Sequence, residues 1–251
     1  VRGIWAVILS LLPLLAMPGR ADAVECRELT HADTGYTVCE VDATREDLRL
    51  FLDHPETGRR LGSFENLRAL LAGQGAELAF AMNAGMYHPD RSPVGHYVEA
   101  GRQVKGVVRG AGPGNFGLLP NGVLCINDAR VRVIETERYI AQAPGCRDAT
   151  QSGPMLVIDG RLHPRFLKDS DSRYVRNGVG TSADGRRAVF AVSNRPVTFH
   201  AFGRLFRDVL QTPQALYLDG NISRLYAPEL GRHDGGFPMG PIVGVVDRGG
   251  D

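Results

Sequence analysis

No charge of either sign is in excess in this chain. Lys and Arg number 29 against 28 Asp and Glu, a formal net charge of +1, and the two signs are interspersed. There is no basic stripe to grip a phosphate backbone, which argues against nucleic acid as a partner. Any phosphate would have to be met locally, by a few placed arginines. Internal repeats, low-complexity linkers and charge blocks are absent as well, so nothing marks a second domain. Cysteine is scarce: Cys26, Cys39, Cys125 and Cys146 only. None lies in a CxxC and no His stands at zinc-finger spacing from them, which argues against a cysteine-ligated metal. Long apolar runs are missing after the first residues, and no later segment is long and apolar enough to span a bilayer.

What is present begins with Arg2, the apolar stretch IWAVILSLLPLLAM and the segment PGRADA. A basic start, a short hydrophobic core and a small-x-small triplet make a secretory signal, expected to be cleaved after Ala23. The expected product is one domain, residues 24–251, periplasmic or secreted and without a membrane span. An even number of cysteines in an exported chain favours disulfides. Three connectivities are possible, and Cys26–Cys39 with Cys125–Cys146 is the most local.

Alternating apolar and polar residues in TVCEVD and LRLFLD predict two strands. Ser63 followed by FENLRALLAGQG predicts a helix with a serine N-cap and a glycine stop. ELAFAMNAG and ALYLDG read as buried strands that run into loops, and the two are expected to be neighbours running the same way. Hairpin turns are expected at Ala100-Gly101, Asn121-Gly122 and Asp159-Gly160. VTFHAFGRLFRDVLQT has helical amphipathicity, and RAVFAVSN and PIVGVVD read as strands. The class is α+β: an extensive mixed, largely antiparallel sheet flanked by helices, in a single domain.

One apparent motif is set aside. Gly112 to Gly117 matches GxGxxG in letters, but the dinucleotide mechanism needs a helix directly after the glycines, and LLPNGVL is not one. Four other segments combine a strand end with glycine and polar residues: Met82 to His88, Gln151 to Pro154, Arg176 to Gly180 and Tyr217 to Ser223. Each alone reads equally well as a turn. Asp219 is the hardest to treat so, because it ends the apolar run ALYL; a half-desolvated carboxylate there needs a partner, and Arg176 is an available cation.

Taken together, AMNAGMYHP, QSGPMLVIDGRLHP, RNGVGTSADGRRAVFAVSN, ALYLDGNISRLYAP and GPIVGVV resemble the phosphodiester glycosidase family. The family's NGGFF is matched by NAGMY, retaining Asn83 and Gly85. Its arginine before a small residue and a glycine is matched by Arg176, and its DGGGSS by Asp219-Gly220-Asn221-Ile222-Ser223, which lacks two of the glycines. The resemblance implies hydrolysis of the bond between a sugar's anomeric carbon and a phosphodiester. It implies Asp219 as base or charge stabiliser, Arg176 as phosphate clamp and Asn83 as orienting group. Gly85, Tyr87, His88, Ser152, Gly153, Asn177, Gly220 and Ser223 are the expected substrate-binding residues, with Glu99 weighed as a second carboxylate and set down as solvated surface. No metal or cofactor is required, although Asp219, Asn83 and nearby carbonyls are oxygen ligands of a kind that suits a calcium-like ion. The partner is a sugar phosphodiester or an envelope glycan. The competing function is a non-catalytic envelope protein that binds a glycan or anionic polymer in the same pocket.

Overall fold

The computed structural model describes residues 24–112, 114–219 and 222–249. The signal segment expected at residues 1–23, and Gly220 with Asn221, lie outside them. The chain opens with β1 (Glu25–His31), β2 (Thr34–Asp42), β3 (Asp47–Phe51), α1 (Phe64–Gly73) and β4 (Glu77–Asn83). Next come β5 (Tyr97–Glu99), β6 (Arg102–Lys105), β7 (Gly122–Asn127), β8 (Arg130–Glu135), α2 (Thr136–Gln142) and β9 (Asp148–Ser152). β10 (Met155–Ile158), β11 (Arg161–Leu162), β12 (Asn177–Thr181), β13 (Arg187–Ser193) and α3 (Phe199–Arg204) follow. The last elements are β14 (Gln214–Asp219), β15 (Leu225–Ala227), β16 (Arg232–His233) and β17 (Ile242–Asp247).

The α+β class and the extensive antiparallel sheet structure are as expected, with the strands divided among three sheets. Their orders are β1-β2-β13-β12-β14-β10-β11, β16-β15-β4-β17-β3 and β6-β5-β9-β7-β8. All three share one core, in which Val41, Leu50, Phe80, Leu124, Val133, Phe190, Leu216, Leu218 and Val243 meet. Each sheet's outer face then needs its own cover, because side chains alternate along a strand. α3 and the wider helical turn that continues it, Leu205–Val209, cover the first with Phe202 and Phe206 against Val38, Val189 and Ala215. α1 covers the second with Phe64, Leu67 and Leu71, and α2 brings Tyr139 against Val123 on the third. Ser63 caps α1 as its sequence suggests, its Oγ accepting from the Asn66 N–H at 3.1 Å.

Both expected disulfides are present, Cys26–Cys39 across the β1–β2 hairpin and Cys125–Cys146 from β7 to the segment before β9. Two local expectations need correction. Asn121-Gly122 is not a hairpin turn: Gly122 starts β7, whose hairpin with β8 closes from Asn127 to Arg130, and the Asn121 side chain donates to the Phe116 carbonyl. A Cβ on Gly122 would lie 2.4 Å from Met155 Sδ, so that glycine serves close packing, not a turn. The strands ELAFAM and ALYL are also not neighbours. β4 pairs with β15 and β17, whereas β14 pairs with β12 and β10 in another sheet. Both are buried apolar runs, and periodicity does not say which sheet takes them.

Candidate active site

Asn83 ends β4, Asn177 starts β12 and Asp219 ends β14, so the three stand where the first two sheets meet. Their contacts can be read without ambiguity from the backbone donors. The Arg224 N–H donates to Asn83 Oδ1 at 3.0 Å, and the Asp219 N–H donates to Asn177 Oδ1 at 2.8 Å. A backbone N–H is donor-only, so these two bonds identify the oxygen of each amide. Asn177 Nδ2 then donates to Asn83 Oδ1 at 2.6 Å and links the two sheets. Asn83 Oδ1 therefore accepts two bonds already, while its Nδ2 is buried without a hydrogen-bond partner. That orientation offers a ligand a donor and no oxygen, so Asn83 does not suit a calcium-like ion. Among the described residues no group of three His, Cys, Asp or Glu is placed to hold a metal.

The pairing of β12 with β14 shifts register between Asn177 and Gly178, so that Asn177 faces Asp219 and Gly178 faces Tyr217. Such an irregularity re-aims side chains at a strand end. Asp219 and Tyr217 both line a cleft of about 670 Å³, together with Met86, Tyr87, Arg91 and Asn115. Val94, Gly114, Ser172, Tyr174, Ile222, Phe237 and Pro238 complete its wall among the described residues. Asp219 is 9 % exposed. Tyr87 keeps its place because Gly240 packs against it, where a Cβ would approach to 2.6 Å. Burial and the negative charge of Asp219 push the Tyr87 phenol up, while Arg91 and Arg224 oppose the shift.

Arg176 is fully buried, at 0 % exposure, immediately behind this wall. Its Nε donates to the Val197 carbonyl at 2.9 Å and its Nη2 to the Ser172 carbonyl at 3.1 Å. The guanidinium carbon lies 3.6 Å from the centre of the Phe199 ring, with Tyr174 and Tyr217 each at 5.4 Å. Its Nη1 and the Tyr217 hydroxyl are both buried and lie next to each other, and Asn115 is the hydroxyl's other polar neighbour. Burial lowers the Arg176 pKa from its usual high value. The cation that actually lines the cleft is Arg91, whose guanidinium sits 5.3 Å from the centre of the Tyr87 ring.

The other expected residues divide. Ser223 braces the site from below, its Oγ 3.0 Å from the Val175 carbonyl and 3.1 Å from that of Asp219. Gly85 adopts φ +149° against Thr150, a turn that lets the chain leave β4 beside the site. Ser152 donates to the Leu218 carbonyl at 2.8 Å and ties the third sheet to the first. Gly153 packs on Asn121, and neither it nor Ser152 lines the cleft. His88 is exposed, 3.4 Å from Lys105 Nζ, and lies outside the wall too. Glu99 is not solvated surface: it is half-buried in β5, accepts from the Tyr97 hydroxyl at 3.0 Å, and burial raises its pKa to about 7. It is likewise remote from the cleft lining. Sequence reasoning passed over Tyr217, Tyr174, Arg91 and Phe237. Arg91 lay within the quoted loop, and Tyr217 stood two residues before Asp219, but nothing in their spacing marked them.

A family profile described as phosphodiester glycosidase matches residues 76–237, which span the three asparagine, arginine and aspartate segments. The chain belongs to the phosphodiester glycosidase family. The Escherichia coli K12 protein YigE, itself uncharacterised, is 33 % identical over 218 residues, covering 87 % of this chain and 82 % of that one. Among solved structures, the fold resembles the catalytic domain of zebrafish N-acetylglucosamine-1-phosphodiester alpha-N-acetylglucosaminidase, auto-inhibited there by its pro-peptide. The TM-score is 0.60 at 12 % identity, over 91 % of this chain and 85 % of that domain. A Burkholderia pseudomallei protein described as exported gives a TM-score of 0.58 at 13 % identity, over 84 % of this chain and 74 % of the other. At such identities the likeness speaks for the fold alone.

Proposed function

We propose that this member of the phosphodiester glycosidase family is an exported hydrolase that cleaves the bond between a sugar's anomeric carbon and a phosphodiester. The observation that carries the reading is the donor arrangement around Asp219. Asn83, buried just behind the cleft lining and joined to Asp219 through Asn177, keeps its Nδ2 without a partner, and Tyr217 and Arg91 line the cleft together with Asp219. Buried donors left unsatisfied are costly, and they are retained most readily where a ligand completes them. An anionic ligand rich in acceptor oxygens does so.

In the proposed reaction the phosphodiester departs as a weakly basic anion, so no carboxylic acid is needed beside the leaving oxygen. This removes the usual requirement for two carboxyl groups flanking the bond. Asp219 takes the proton of the attacking water, or balances the positive charge that develops at the anomeric carbon. Arg91 meets the charge of the departing phosphate. Asn83 Nδ2 donates to a sugar or phosphate oxygen, and Asn177 keeps it turned that way. The mouth of the cleft is aromatic: Phe237 is 78 % exposed and Tyr174 47 % exposed. Apolar rims of this kind suit the C–H faces of a sugar ring, and Tyr87 adds another ring. Export is supported by the leader's composition and the two disulfides.

The direct test is incubation of the purified protein with N-acetylglucosamine 1-(methyl phosphate) and other sugar 1-(methyl phosphates), with release of free sugar as readout. Turnover that disappears in Asp219→Asn supports the reading. Tight binding without turnover by the parent protein would transfer the case to the glycan-binding alternative.

A further inference from the structure

We propose that the Tyr217 hydroxyl is the group that meets a phosphate oxygen in the cleft, and that Arg176 is a positioning residue acting through it. This rests on the phosphodiester reading and changes the part that Arg176 plays in it. A guanidinium that clamps phosphate must present two N–H groups to the ligand at once. Arg176 has no such pair to offer. Its Nε and Nη2 are taken by the Val197 and Ser172 carbonyls, its flat face lies 3.6 Å over Phe199, and it is fully buried. Ser172, Tyr174 and Tyr217 stand between it and the cleft, and all three line the wall.

Nη1 is bound by neither carbonyl, and it belongs to the same buried corner as the Tyr217 hydroxyl. The two groups interact electrostatically, each perturbing the other's ionisation. Guanidinium is donor-only. A phenol oxygen beside it can therefore only accept from that side, so its own proton turns toward the cleft, where Asn115 stands beside it on the lining and a ligand oxygen competes for it. The neighbouring positive charge also makes the hydroxyl a stronger donor. Burial pushes the Tyr217 phenol well above its ordinary value despite Arg176, so the hydroxyl keeps its proton throughout the neutral range. It acts as a hydrogen-bond donor and transfers no proton, consistent with a leaving group that needs none. Phe199 completes the device: it packs edge-on against Tyr217 with centroids 4.8 Å apart while carrying Arg176 on its face.

The test uses the purified protein with dimethyl phosphate, a minimal diester without a sugar, titrated by NMR with 13C-labelled tyrosine. The Tyr217 ring-carbon signal is identified by its loss in Tyr217→Phe. The expected results are a shift of that signal on titration and a roughly 10-fold or larger loss of affinity in Tyr217→Phe, as for a hydrogen bond to a charged group. Arg176→Lys should also weaken binding, but the double variant should be no weaker than Tyr217→Phe alone. Parent-like affinity in a folded Tyr217→Phe would overturn the proposal, as would independent, additive losses. Should Arg176→Lys fail to fold, the Tyr217 signal in the parent decides by itself. If the parent binds no dimethyl phosphate and cleaves no sugar phosphodiester, the phosphodiester reading itself has failed; if it does either while Tyr217 stays silent, only this inference has.

Discussion

At the scale of single residues, the site depends on which atoms are already satisfied. Asp219→Asn keeps the shape and the backbone bond to Asn177 while deleting the charge. We expect turnover to fall by about 10²–10⁴-fold, the range for losing a positioned acid–base group, with the melting temperature little changed. Hydrolysis of the sugar 1-(methyl phosphates) alongside a thermal melt checks both halves. Arg91→Gln removes the cleft's lining cation, and the expected effect is a KM raised by about 10–100-fold with little change in fold, because its guanidinium lies at the wall and outside the core. Asn177→Ala is different in kind. It strips a partner from the Asp219 N–H and another from Asn83 Oδ1, both buried. A loss of about 1–3 kcal/mol in stability is expected together with loss of activity, read by denaturant unfolding.

Among the elements, glycine marks where segments approach too closely for a side chain. The loop after β4 reaches the third sheet at Gly95, where a Cβ would come within 2.6 Å of the Gln151 carbonyl oxygen. Backbone cannot swing aside as a flexible side chain can, so Gly95→Ala should destabilise by about 1–3 kcal/mol. Gly106→Ala serves as its control: no atom lies within 4 Å of the added Cβ, and a change within about 0.5 kcal/mol is expected. Equal melting temperatures for the two variants would contradict the packing argument. The same loop holds Tyr87 and Arg91 at the cleft, so the position of Gly95 is also what brings these two side chains to the site.

For the whole molecule, two carboxylates set a pH dependence of stability. Burial raises both Glu99 and Glu46 to about 7. At these two groups the folded protein binds more protons than the unfolded chain between the ordinary glutamate range and neutrality, while burial lowers His96 and His163 and opposes them over part of that window. Their contribution is fully present below the unfolded pKa and is lost as pH rises through about 7, so this part of the stability falls across that window. Asp159 and Asp208 are shifted the other way, to about 2, chiefly by hydrogen bonds from Arg138 and Arg207. They act only in the acid range and leave this window alone. Unfolding curves at pH 5 and 8 provide the check: a Glu46→Gln, Glu99→Gln double variant should lose less stability than the parent between the two pH values.

Local order was legible along the chain. Ser63 before an apolar-periodic run is enough to start α1, alternation is enough to make β2 a strand, and four cysteines paired by proximity follow their nearest partners. Asp219, with Arg176 as its available cation, could be singled out because a carboxylate at the end of an apolar run is chemically conspicuous, whereas the role of Asn83 came from the family resemblance. Tertiary structure decided which sheet each run joined, since β4 and β14 are alike in composition and differ only in their partners. It alone joined Asn83 to Asp219 through Asn177, a bond between residues far apart in sequence that no spacing rule encodes. It also turned Arg176 inward and Tyr217 to the wall. Burial and hydrogen-bond occupancy are properties of the packed neighbours, and an arginine's letter does not reveal that carbonyls from Ser172 and Val197 will claim two of its donors.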